Sequence, residues 1–141
     1  MTQLSARLAA IVDALPLTGQ SRVLEIGCGP GAMAREIALR APQGHVLAID
    51  RSAKAIAQAK AGSADLLASG RLRLRQVAVE KLELLEDETP FDFAVAVRVG
   101  ALDGRHPELE TQALKCIARA LKPNGRLYID GGSPLREKSL K

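Results

Sequence analysis

Glu25, Gly27, Gly29, Gly31 and Asp50 are the residues whose types and spacing could bind a ligand. Four of them lie in "VLEIGCGPGAMA", residues 23–34, where an acidic side chain stands inside an aliphatic run and glycines follow at once. Val23, Leu24 and Ile26 read as a strand buried on both faces of a parallel sheet, where an ionised carboxylate is costly unless a cation or hydrogen-bond donors meet it. Gly27, Gly29 and Ala32 satisfy the loose glycine pattern that admits a dinucleotide pyrophosphate, and Asp50 follows at the distance of a ribose-binding acid. The spacing alone does not choose between a nicotinamide dinucleotide and a second nucleoside ligand, S-adenosyl-L-methionine. Glu25 favours the latter: a carboxylate at a strand tip repels a pyrophosphate but suits an ammonium and a sulfonium.

These residues need elements to hold them, and hydrophobic period and punctuation alternate regularly along the chain. "TQLSARLAAIVDAL" carries Leu4, Leu8, Ile11 and Leu15 at helical spacing, which predicts a helix within residues 1–16 that stops at Pro16. A strand is expected from Arg22 to Gly27, then a helix from about Gly31 with Met33 and Ile37 inward, ended by "APQG" at 41–44. "HVLAID" is a second aliphatic strand, and Ser52 caps an Ala-rich helix weakened near Gly62. "RLRLRQVAV", 71–79, alternates leucine with arginine and reads as a strand with one wet face near a sheet edge. "EKLELLEDE" reads as an acidic connector with a solvated face.

"FDFAVAVRV" is a further buried strand, and "PELETQALKCIARAL" a helix with Leu109, Ile117 and Leu121 inward. "GRLYID" is the last strand, after the turn "KPNG". This alternation predicts an α/β fold: a doubly wound, mainly parallel Rossmann-like sheet of about five strands with helices on both faces. Such sheets bind ligands at the carboxyl ends of the strands, at the switch point beside the first strand. The glycine turn of residues 27–31 falls there.

With those motifs in order, the chain resembles the class I S-adenosylmethionine-dependent methyltransferases. "VLEIGCGPG" is similar to the first motif of that family, "VLAIDRS" to its acidic second-strand motif, and "ALKPNGRLYID" to the segment leading into its fifth strand. The resemblance covers roughly residues 20–131. It implies methyl transfer from S-adenosyl-L-methionine. It further implies that Gly27, Gly29 and Gly31 let the backbone approach the methionine moiety while Glu25 supports its amino end, and that Asp50 accepts the ribose hydroxyls. Arg51 would lie against adenine, with Ala78 and Val79 at the adenine edge. Many members carry Asp where this chain has Ala78, so Glu80 or backbone groups would serve instead. Cys28 takes the place of a small, close-packed side chain, not of a nucleophile.

Composition narrows the partners. At 141 residues the chain fits one domain, 1–141, with 47% hydrophobic and 26% charged residues. No apolar stretch approaches the ~20 residues that span a bilayer, and no secretory leader is legible, so a cytoplasmic protein without a membrane partner is expected. The two cysteines have neither disulfide nor metal spacing. A net charge of +4 is a mild basic excess, but three aromatics supply no stacking platform, which argues against nucleic acid as partner.

Methyl transfer depends largely on positioning, so no particular catalytic side chain is required. His106 and Arg98, after the fourth strand, are the candidates for a base and for an anion clamp. The Asn-Pro-Pro-Tyr and Pro-Cys signatures of base-modifying relatives are absent, which favours a small-molecule acceptor. A nicotinamide-dependent oxidoreductase and a non-catalytic S-adenosylmethionine-binding module remain as alternatives. Residues 131–141, "GGSPLREKSLK", are too short and polar for the family's C-terminal strands. The 125–130 strand is therefore expected as an exposed edge, open to a second copy or to a partner.

Overall fold

A computed structural model describes residues 4–141. Helix α1, Ala6–Ala14, starts where the Ser5 hydroxyl accepts the Leu8 amide, and it buries Ile11 and Val12. The part of the expected first helix that falls on residues 1–3 lies outside the described residues. Strand β1, Arg22–Ile26, leads through the glycine turn into α2, Ala32–Arg40, whose buried face is Met33, Ala34, Ile37 and Ala38. Strand β2, His45–Asp50, leads into α3, Ala53–Ala61. The Ser52 hydroxyl caps α3 by accepting the Ala55 amide, and the helix ends at Gly62 before the short α4, Ala64–Ala68.

Strand β3, Leu72–Gln76, precedes a single 3-10 turn at Val79–Lys81. Strand β4, Phe91–Ala96, helix α5, Pro107–Ala120, and strands β5, Leu121–Asp130, and β6, Leu135–Lys138, complete the order. The sheet runs β3-β2-β1-β4-β5-β6, parallel except for β6. The order reverses between β1 and β4, so the carboxyl end of β1 lies at the switch point.

Alternate residues of the central strands feed two cores. Leu24, Ile26, Leu47 and Ile49 pack with α5 and the 3-10 turn, while Val23, Val46, Ala48 and Val95 pack with α1, α2 and α3. Burial on both faces is what made these strands read as continuous aliphatic runs. As expected, β3 is an edge strand. It stops at Gln76, short of Val79.

Three expectations are corrected. The sheet has six strands, because "LREK" pairs antiparallel with β5 through Leu127↔Lys138, Tyr128↔Glu137, Ile129↔Arg136 and Asp130↔Leu135. Strand pairing satisfies backbone groups whatever the side chains, so a polar segment can close an edge. The 125–130 strand is therefore covered, and the edge invoked for a second copy or a partner does not exist there. Secondly, "KPNG" is not a turn before β5 but an irregularity inside it: β4 advances from Phe91 to Phe93 while β5 advances from Leu121 to Arg126. Thirdly, the acidic connector is not wholly solvated. Leu82 is in the core, and the Glu88 carboxylate takes bonds from Arg73 and Arg75 on β3.

Candidate functional site

The glycine turn is built from hydrogen bonds as much as from its sequence. The Gly27 and Cys28 amides both donate to the Ile49 carbonyl, at 2.8 and 2.9 Å, so the turn folds over the end of β2. Gly27, Gly29 and Gly31 all have positive φ, at 73°, 54° and 90°, a region that disfavours a Cβ. A Cβ at Gly27 would also stand 2.8 Å from Val99 Cγ2, whereas one at Gly29 would project into open space. Gly29 thus leaves bare backbone facing a free volume, as a closely approaching ligand requires.

Asp50 ties the turn to the next helix. Its Oδ2 accepts the Gly29 amide and its Oδ1 the Ser52 amide, each at 2.9 Å. A carboxylate oxygen has more than one acceptor direction, so each retains capacity for a further donor.

Glu25 is the residue that the fold alone does not explain. It lies between Ala48 and Val95 in the sheet, is 3% exposed, and its Oε1 has no hydrogen-bond partner. Burial, and then the nearby Asp50 charge, raise its pKa from the ordinary 4.5 to about 8, with Arg35 opposing. Arg35 is itself held by the Pro30 carbonyl at 2.9 Å and the Ser63 hydroxyl at 3.1 Å. Cys28 is buried, and burial followed by Glu25 and Asp50 pushes its thiol far up. A thiol so held is not a nucleophile, in keeping with a packing role.

Beside the turn lies a cavity of about 280 Å³. Gly27, Asp50, Arg51, Ala78, Val79, Arg98 and His106 line it, so the structure brings together candidates separated by up to 79 positions in the sequence, 27 to 106. Glu25, Cys28, Gly29 and Gly31 do not line it: the last three are in the turn itself, and Glu25 is buried in β1 before it. Glu80 borders the cavity next to Ala78, the place where a substitute for the missing Asp was expected.

On the other wall, His106 immediately precedes α5. Its ring packs so closely on Gly100 that any side chain there would collide, and its Nδ1 is 3.4 Å from Glu108. Sequence reading missed Val99, Arg105 and Leu109 on this wall, and Arg35 behind the turn. Leu109 reads as core from helical period alone, and exposed arginines carry no signal until a fold places them.

The sheet order, the glycine turn under β1 and the acid ending β2 define a class I, Rossmann-like S-adenosylmethionine-dependent methyltransferase fold. Residues 23–125 match the methyltransferase domain family, and the chain belongs to that family. It is 31% identical, over 93% of its own length and 46% of the other's, to a trans-aconitate 2-methyltransferase of Methylobacterium nodulans. A ribosomal RNA large subunit methyltransferase G of Streptomyces avermitilis is 29% identical, over 84% of this chain and 30% of that one. Among solved structures, a TehB-like SAM-dependent methyltransferase from Corynebacterium glutamicum superposes with TM-score 0.66 at 25% identity, covering 91% of this chain and 64% of that one. The chain spans less than half the length of the curated relatives it matches.

Proposed function

We propose that residues 1–141 act as one domain that binds S-adenosyl-L-methionine and transfers its methyl group to a small-molecule acceptor. The observation that carries this is the buried, unpartnered Glu25 Oε1 beside a turn whose glycines leave bare backbone. A cationic partner would let such a carboxyl ionise, which a pyrophosphate would not, and this weighs against the nicotinamide reading. The residues present fit the cofactor: Glu25 would support its amino end, and Gly27, Gly29 and Gly31 would admit its methionine part. Asp50 would accept ribose hydroxyls, and Arg51, Ala78 and Val79 would border adenine. When bound, the cofactor supplies an electrophilic methyl group on sulfur.

The chain's own contribution is positioning and exclusion of water, the larger part of an in-line displacement. Cys28 takes no chemical part. His106 and Arg98, which line the cavity together with Asp50, are the side chains we assign to the acceptor. Relatives' names span a small organic acid and ribosomal RNA. The burial of Phe91 and Phe93 in the cores supports a small molecule. Among the described residues no helix is long and apolar enough to cross a membrane. Both cysteines are free and buried, which supports a cytoplasmic setting.

Release of S-adenosylhomocysteine from S-adenosyl-L-methionine, followed across a panel of small acceptors, tests the proposal. Acceptor-dependent release is expected. Binding of the product without release for any acceptor would instead favour a silent binding module.

A further inference from the structure

Arg98 stands two residues beyond β4 and is the one non-glycine residue with positive φ, 57°, among the described residues. A side chain in that region persists when its surroundings impose it. Here the backbone is pinned from both sides: its amide donates to Asp130 Oδ1 at 3.1 Å, and its carbonyl accepts Arg105 Nη2 at 2.8 Å. Asp130 is itself anchored by Arg7 of α1 at 3.0 Å. The conformation is thus built by three separate parts of the chain, and Arg98 lines the cavity as an exposed residue whose guanidinium has no hydrogen bond or ion pair among the described residues.

Most of the acids near Arg98 or in its cavity are already engaged. Asp103 is taken up by Arg105 Nε at 2.9 and 3.0 Å, and Glu108 lies beside His106. Asp50 holds two backbone amides, and Glu80, next to Val79, lines the same cavity. The β4–α5 wall therefore carries Arg98, Arg105 and His106 around an apolar floor of Val99, Ala101 and Leu109. A planar fork of donors on a strained, fixed backbone matches an oxyanion, which it can meet with two parallel N–H bonds.

We infer that the acceptor received at this wall carries an oxyanion, a carboxylate or a phosphate, gripped by Arg98 with Arg105 holding the Arg98 backbone in place. This rests on the cofactor reading above only for the word acceptor. The oxyanion site itself follows from the arginine geometry.

Calorimetric titration with propane-1,2,3-tricarboxylate, with inorganic phosphate and with neutral glycerol, on the protein alone and saturated with S-adenosylhomocysteine, tests it. Saturable binding of one anion, but not of glycerol, is expected, and which anion binds identifies the source. Arg98→Gln should weaken that binding about tenfold or more. Arg98→Lys, which keeps the charge but loses the fork, should fall between, with the folding of both variants checked by their melting transitions. Arg105→Gln, should Arg98→Gln fail to fold, is expected to weaken the anion as well. Glycerol binding as well as the anions, no anion binding, or Arg98→Gln binding unchanged would overturn the inference. Failure of S-adenosylhomocysteine to bind would contradict the cofactor reading alone, since the titration of the free protein still decides the oxyanion.

Discussion

At the scale of single residues, Glu25 holds its proton up to about pH 8 in the folded chain, against an ordinary 4.5, because burial opposes its charge. Its raised pKa gives the ligand-free protein stability that is fully present below pH 4.5 and is lost as pH rises through about 8. A cationic ligand end reverses the preference by favouring the ionised form. Binding of S-adenosylhomocysteine should therefore release up to one proton near pH 7 and tighten, by at most about tenfold per pH unit, from pH 6 to 8. Calorimetry in buffers of different ionisation enthalpy reads this directly. Glu25→Gln should abolish the proton release, and an unchanged release in that variant would show that another group carries it.

Glu25 was legible because an acid in an aliphatic strand is a mismatch with its surroundings. Arg98 and His106 were legible only as candidates. Arg35 and Arg105 were not legible at all, since their roles come from what other segments bring beside them.

At the scale of elements, the turn between β1 and α2 is fixed by two separate requirements at Gly27, a φ of 73° and the nearness of Val99 Cγ2. Gly27→Ala should lower the denaturant midpoint by the equivalent of about 1–3 kcal/mol with the slope unchanged. Val99→Ala added to it should recover the steric part and leave the backbone part. Full recovery would mean that φ contributes nothing, and no recovery that Val99 yields freely.

The aliphatic strands and capped helices were readable from period and punctuation because burial on both faces and a cap each leave a local mark. Strand β6 left no such mark. Three of its four residues are charged, only Leu135 packs against a core, and it pairs through backbone groups that every sequence offers. The irregularity at "KPNG" was hidden for a similar reason, since turn-forming residues also suit a bulge.

At the scale of the whole molecule, the reversal of strand order at β1 and β4 is what brings the glycine turn, Asp50 and the β4–α5 wall around one cavity. That convergence was predictable from the alternation of strands and helices, whereas the lining of the far wall was not, because loop residues take their places only once the sheet exists. The central claim is that this switch point receives S-adenosyl-L-methionine through carboxylates at the ends of β1 and β2. Calorimetric titration with S-adenosylhomocysteine and with NAD, on the native chain and on Asp50→Ala checked for folding by its melting transition, tests it most directly. The native chain should bind S-adenosylhomocysteine and not NAD, and Asp50→Ala should bind about 10- to 100-fold more weakly. Saturable NAD binding, or an affinity for S-adenosylhomocysteine that Asp50→Ala leaves unchanged, would contradict it.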